Sequence, residues 1–600
     1  MTIYQIPSNG VSISHNLYLN SGDQELVASG GASYFTEVTG GGLEKIFNGG
    51  KSFNTYVARH GIELISSGGN AEYTDLHDGS ERVAFGGVSY YTTIYFQGVE
   101  YIASGGAAYD TTLVSGGREV ISSGGNAQYT TLNGGGEEQI NSGGAAYFTT
   151  LNSGGGERVN SGGAAYNTQL NPGGVEYIAS GGNVYYTNIF SGASEVLSNG
   201  ANASGNIVYS GGSEIVSSGG VSYNTQLNQG GIELIASGGN VYDTHVLSGA
   251  SEALSNGANA FGNEVNSGGS LIVSSGGAAT DIFNNSGLET VLNGGVDRGA
   301  YVLGGNETVL GGGVAINTNN QGNGSVDING GGKELVSSGF SEFVTVNSGG
   351  SEVVSSGGDA EYTTLNSGGS EQVASGGYAL NNAVYGSETV LSGGVDNRAS
   401  VEGGSLTVLS GGVAKNSDNF AFDNGSVAIN SGAKELVDFN SEYVTVNNGG
   451  TELVSSGGET YFPTLNSGGS DQIASGGSSY AATIYQGGVE IISSGGISYY
   501  PVNSGGTEMV LSGGELVVNN NTSGIILHNG AILDLSGVAA DSGVLKGSEQ
   551  LVFTSAGAVV ETLGLAGNNS HFTFTLQPDG NGGSLVTVGV ISPELSLLAH

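Results

Sequence analysis

The sequence predicts an all-β fold, a single β-solenoid (β-helix) of about 19-residue coils with terminal caps. Three observations predict it: glutamates recurring at a fixed step, aliphatic columns in phase with them, and glycine pairs that cut the chain into short β-prone runs.

The step comes first. Glu81, Glu100, Glu119, Glu138, Glu157, Glu176, Glu195, Glu214, Glu233 and Glu252 follow one another at intervals of 19 residues. Farther on the pitch wobbles: Glu334 to Glu352 is 18 residues, Glu352 to Glu371 is 19 and Glu371 to Glu388 is 17. Glu452, Asp471 and Glu490 restore the 19-residue step, and the array runs to about Gly514.

Within one unit, Glu119-Val120-Ile121-Ser122-Ser123-Gly124-Gly125-Asn126-Ala127-Gln128-Tyr129-Thr130-Thr131-Leu132-Asn133-Gly134-Gly135-Gly136, two β-prone runs are each closed by a glycine turn. Neither has helical periodicity, and glycine pairs this frequent would break a helix. Two places after each Glu the residue is aliphatic, as in Val83, Ile102, Ile121 and Ile140; thirteen places after, it is again aliphatic, as in Ile94, Leu113, Leu132 and Leu151. These are the core columns. The place directly after the Glu holds Arg82, Tyr101, Val120 and Gln139, a mixture that belongs on the outer face by period-two alternation. A two-strand unit cannot bury its aliphatics alone, so coils must stack at about 4.8 Å; roughly 26 of them make a rod of about 125 Å. Residues 1–25 are expected to cap one end, residues 26–514 to form the solenoid, and residues 515–600, where the pattern fades, to form a β-rich C-terminal cap with room for an export signal.

Composition narrows the function. The chain has 114 Gly but 6 Pro in 600 residues, and its 37% hydrophobic content exceeds that of a solvated linker. Twelve Lys and Arg against 53 Asp and Glu give a formal charge of −41, which repels nucleic acid and anionic membranes. With no Cys there are no disulfides, thiol chemistry or Cys-based zinc sites. No run is apolar enough for a membrane helix, so no membrane insertion by this chain is expected. Met1-Thr2-Ile3-Tyr4-Gln5-Ile6-Pro7 does not read as a Sec leader, so export is expected to use another signal.

The repeats Ile235-Ala236-Ser237-Gly238-Gly239-Asn240-Val241-Tyr242-Asp243-Thr244 and Tyr362-Thr363-Thr364-Leu365-Asn366-Ser367-Gly368-Gly369-Ser370-Glu371 resemble the AIDA-type repeats of bacterial autotransporter adhesins, over most of residues 20–514. The resemblance implies a right-handed β-helix on the cell surface or outside the cell. It also implies roles in adhesion, autoaggregation and biofilm formation, and O-glycosylation of repeat serines. Two departures stand out: nothing reads as an outer-membrane barrel, and no leader precedes the repeats. The segment Phe572-Thr573-Phe574-Thr575-Leu576-Gln577-Pro578-Asp579-Gly580 looks instead like the ends of leaderless proteins exported by type I systems.

The Glu column is the sharpest candidate site. Stacked carboxylates repel by about 0.9 kcal/mol per neighbour even in water. The preferred reading sets each Glu at an exposed corner, screened or bonded to turn amides; bridging divalent cations or partial protonation in an acidic habitat are the alternatives. Tyrosines nine or ten places after the Glu, among them Tyr73, Tyr90, Tyr109, Tyr129, Tyr147, Tyr166, Tyr185, Tyr223 and Tyr242, read as packing between coils, with sugar stacking the alternative. By parity Thr74, Thr92, Thr111, Thr130, Thr149 and Thr168 face inward as a hydroxyl ladder. The outward neighbours Thr93, Thr112, Thr131 and Thr150 give way to Gln169 and Asn188, which argues against ice binding.

Calcium-solenoid nonapeptides are absent, apart from the isolated near-match Gly322-Asn323-Gly324-Ser325-Val326-Asp327. Gly50-Lys51-Ser52 lacks the first glycine of a P-loop, and the histidines at 15, 60, 77, 245, 528, 571 and 600 have no metal-ligand spacing. The chain therefore reads as a non-enzyme with no catalytic, cofactor or metal residues and no cofactor. Its expected partners are other copies of itself, host or abiotic surfaces, and glycans; the alternative is a carbohydrate-binding or carbohydrate-active β-helix protein. High salt, divalent cations or low pH are expected to promote aggregation by weakening repulsion.

Overall fold

A computed structural model describes residues 1–6, 12–179, 181–321, 324–337, 339–419, 425–518 and 522–591. The chain is an all-β parallel solenoid of about 27 turns spaced about 19 residues apart, with no helix among the described residues. Its contacts group it into two units, Met1–Thr308 and a second beginning at Val309.

In the first unit each coil has three strands, where the sequence suggests two. Val99–Ile102, Ala107–Tyr109 and Thr112–Leu113 make one coil, and Arg118–Ile121 opens the next. The second β-prone run is bent in its middle by a corner without glycine: Asp110 here, and Tyr129 one coil on, adopt the left-handed conformation at φ 57° and 61°. At the other two corners of this coil a left-handed Ser precedes a left-handed Gly, Ser104 (51°) with Gly105 (79°) and Ser115 (49°) with Gly116 (86°).

The three sides build three parallel sheets in strict register, so that Glu100 lies beside Glu119 and Glu119 beside Glu138. The corners join the ladder as well, Gly124 N–H donating to Gly143 O at 2.7 Å. Ile121, Ala127 and Leu132 from one coil are buried over their counterparts in the next. Each Ile or Leu so buried contributes about 1.5–3 kcal/mol. Where a glycine follows a corner it serves close approach: a Cβ on Gly125 would lie 2.3 Å from the carbonyl oxygen of Ile102 in the coil beneath.

The second unit has the same three-sided coil, and the acid column changes side at the 27-residue gap from Glu307 to Glu334, not at the 18- and 17-residue steps that follow. Lys333–Ser337 pairs with Val314–Ile316, a strand of the second side, so Glu334 lies beside Ala315 and not beside another acid. From there Glu334, Glu352, Glu371 and Glu388 run up that wall. The same slip recurs when Lys434–Val437 pairs with Val413–Lys415, and Glu435, Glu452, Asp471, Glu490 and Glu508 climb the next wall.

Ile3–Ile6 pairs in parallel with Gln24–Val27 as an ordinary coil strand. At the other end the pattern turns antiparallel: Ile532–Leu535 meets Ser584–Val590, which forms a hairpin with Phe572–Pro578. A separate three-stranded antiparallel sheet contributes Leu551, Phe553 and Leu563 to a core shared with Ile492, Val510, Leu516 and Leu533.

Candidate functional site

The Glu column lies inside the solenoid, not at an exposed corner. In Arg118–Ile121 the side chains alternate, Glu119 and Ile121 buried and Arg118 and Val120 turned out. Sharing parity with the core aliphatic two places later forces the carboxylate inward. Glu100, Glu119, Glu138 and their equivalents have no exposed surface, and the buried polar and charged side chains among the described residues include no Lys or Arg.

The partners are hydroxyls and amides on the other two sides of the coil. Thr111 donates to Glu100 Oε2 at 3.0 Å and Ser89 to its Oε1 at 2.6 Å. Thr130 and Thr149 donate to Glu119 and Glu138, each at 3.0 Å. The inward threonine ladder read from the sequence is thus present, and it serves the acids. Where Thr is replaced, Asn takes over: Asn206 reaches both oxygens of Glu195 at 2.9 and 3.0 Å, and Asn263 reaches Glu252 at 2.6 Å.

Two carboxylates one strand apart would repel by roughly 3.5 kcal/mol at an effective dielectric near 20. No Lys or Arg among the described residues offsets that inside, so the ladder carboxyls favour the protonated form more than free carboxyls do. Burial, followed by the neighbouring carboxylates, pushes Glu119 and Glu195 well above the ordinary range. Burial raises Glu100 to about 7, with the Ser89 and Thr111 hydroxyls opposing it, and raises Glu176 and Glu252 to about 8. Roughly half of the 53 Asp and Glu residues lie in such positions, so the formal −41 greatly overstates the charge seen from outside. No group of three or more His, Asp or Glu among the described residues is placed to hold a metal ion.

The tyrosines fall into two adjacent tracks along one edge. Tyr147, Tyr166 and Tyr185, at the end of the second-side strand, stack at centroid distances of 4.8 and 4.9 Å with planes within 10°. Tyr223, Tyr242 and Phe261 repeat the arrangement. The second track sits on the corner itself, where Tyr73 stacks on Tyr91 and Tyr129 on Phe148. Sequence reasoning merged these tracks, because the corner that separates them is only occasionally a glycine, as at Gly205 and Gly262. Within a stack, neighbouring coils cover the ring faces, leaving edges and hydroxyls to solvent; stacking on a sugar ring needs a free face.

The remaining candidates stay scattered. Lys51 and Ser52 lie in the strand Lys51–Phe53, with the Ser52 hydroxyl bonded to Thr55. His245 contacts Glu264 at 2.9 Å, His60 lies 3.6 Å from Asp78, and His15 stacks on Tyr34. Gly322, Asn323 and His600 lie outside the described residues.

No protein-family model matches the chain, and no curated protein does. Among solved structures, it is similar to the crystal structure of a TibC-catalysed hyper-glycosylated TibA fragment, residues 55–350 of that protein. Identity is 30%, covering 56% of this chain and 99% of that one, at a TM-score of 0.23. So low a score carries nothing about function.

Proposed function

We propose that this chain is a bacterial surface or secreted adhesin, a structural protein without enzymatic activity that promotes cell–cell and cell–surface adhesion, autoaggregation and biofilm formation. The observation that supports this reading is the repetition of the outward columns. Asn133, Asn152 and Asn171 form a side-chain amide ladder at 2.9 Å per step, and Tyr147, Tyr166 and Tyr185 continue one stack. Polar chemistry spread evenly over many coils suits many weak, simultaneous contacts, whereas turnover needs a few groups converging on one point. In this reading residues 1–25 and 515–600 close the ends of the 26–514 solenoid, the location is extracellular, and corner serines such as Ser104 and Ser115 are open to O-glycosylation.

The test is the settling rate of a bacterium displaying the chain against the same strain without it. Faster settling and retention on surfaces are expected; identical rates would overturn the reading.

A further inference from the structure

The outward face of the Glu-bearing sheet in the first unit differs from the other walls. In the six consecutive strands Val175–Ile178, Ser194–Leu197, Ser213–Val216, Ile232–Ile235, Ser251–Leu254 and Ser270–Val273, the residue after the ladder position points outward. It is in turn Tyr177, Val196, Ile215, Leu234, Ala253 and Ile272. Val175, Ile232 and Leu234 are exposed at 43%, 40% and 42%. No acidic or basic side chain points outward from these six strands, and the bordering corners, such as residues 209–212 and 217–220, carry only uncharged residues. In the same coils the third sheet carries His245 and Glu264 and the corner before it Asp243, while the second sheet's outward face is uncharged too but polar, lined by Asn183, Asn202, Asn240 and Asn259 where the first is aliphatic.

We infer that this apolar wall is the surface on which a second copy of the chain docks. The inference deepens the self-association reading above and rests on it. Three arguments select the occupant. The wall repeats at one strand spacing, about 4.8 Å, so a partner that matches it at every coil must have the same lattice, which a second copy does. Two acidic molecules approach most easily along a charge-free face, and this wall is one. Facing sheets can then interdigitate side chains at about 10 Å separation, with low Ser, Gly and Ala corners such as 217–220 on one border and the apolar Phe190, Tyr209 and Leu247 on the other.

Area sets the strength. Six strands by four residues cover roughly 29 Å by 13 Å, about 400 Å² per copy, near half of the roughly 800 Å² per partner in a stable complex. A single pair of walls therefore associates weakly, and the contact becomes firm only where many copies are arrayed together.

The test uses the full chain on cells or coated on beads. Ile215→Glu with Leu234→Glu puts two charges on the wall, and Asn188→Glu with Gln226→Glu puts the same two on the third sheet's outward face. All four side chains point outward, so folding is retained, checked by circular dichroism and melting temperature. The wall variant is expected to cluster about tenfold more slowly or worse, the control within about twofold of the unaltered chain, and clustering of the unaltered chain to persist at high salt. Equal losses in both variants would assign the effect to charge alone and overturn the wall as docking surface. Undiminished clustering of the wall variant would also overturn it while leaving self-association standing. Failure of the unaltered chain to cluster when arrayed would remove the self-association reading itself.

Discussion

Thr130 donates its hydroxyl to Oε2 of Glu119 at 3.0 Å inside the solenoid, and Thr149 repeats the contact to Glu138 one coil later. Each bond crosses the coil from its third side to its first, so the ladder links the walls that enclose it. Because a hydroxyl can donate to either a carboxylate or the carbonyl oxygen of a carboxylic acid, the link survives protonation.

Stability is expected to fall as pH rises. The ladder carboxyls have folded-state pKa values above their unfolded value, so the folded chain holds protons that the unfolded chain releases. The resulting stability is complete below about 4.5 and is lost as pH passes through the folded values, about 7 for Glu63 and Glu100 and about 8 for Glu176 and Glu252. Thermal unfolding between about pH 5 and about pH 8.5 checks the sign; a melting temperature that climbs over that range would contradict the ladder's protonation.

Glu119→Gln with Glu138→Gln should flatten that dependence. The amide keeps the acceptor for Thr130 and Thr149 but cannot ionise, so the variant should gain on the parent at alkaline pH and differ little at acidic pH. Glu119→Ala should instead cost about 2–3 kcal/mol at acidic pH, through a cavity and an unpaired Thr130 hydroxyl, a cost that shrinks at alkaline pH where the parent's own carboxyl is penalised. Parallel urea titrations at the two pH extremes separate the cases.

Adjacent glycines should respond differently to alanine. At Gly124, with φ of 82° and only Gly105 N within 4 Å, the cost is about 1 kcal/mol of backbone strain. At Gly125 the added methyl meets the Ile102 carbonyl at 2.3 Å, so two coils must separate. Hydrogen exchange should show local opening around Ile102 and Gly125 only in the second variant.

Tyr166→Ala removes the middle ring of a three-ring stack. A loss of about 1–3 kcal/mol is expected from its two ring contacts. Glycan binding, measured on an array, should not change, since the faces of that ring are already covered; loss of a glycan signal with full stability would show that the track binds sugars.

Much of this was legible from residues alone. The alternation around Ile121 and Leu132 locates the core, and the parity of Thr130 locates the inward hydroxyls. The inward Glu119 was equally available from its two-residue spacing to Ile121, but an acid without a counterion reads as a surface residue until its donors on other sides of the coil are seen. The third corner escaped notice because Tyr129 and Asp110 take a conformation usually marked by glycine. The uneven steps after Glu334 all fall within one wall; the changes of side lie in the longer gaps before Glu334 and Glu435, and which strand then faces which is a matter of pairing, which spacing does not encode.

The slip of the acid ladder from wall to wall, at Glu334 and again at Glu435, bears on how such a chain can lengthen. Backbone pairing continues through both slips, because one side of the coil accepts the strand type of another. The extra length is then about one side of a coil, not a full turn: Glu307 to Glu334 is 27 residues, eight more than the 19-residue step. Growth by imprecise duplication need not respect the repeat that first draws the eye, and each slip turns the sequence of surface chemistries by a third of a revolution, so a new pattern can face a given direction without any new fold.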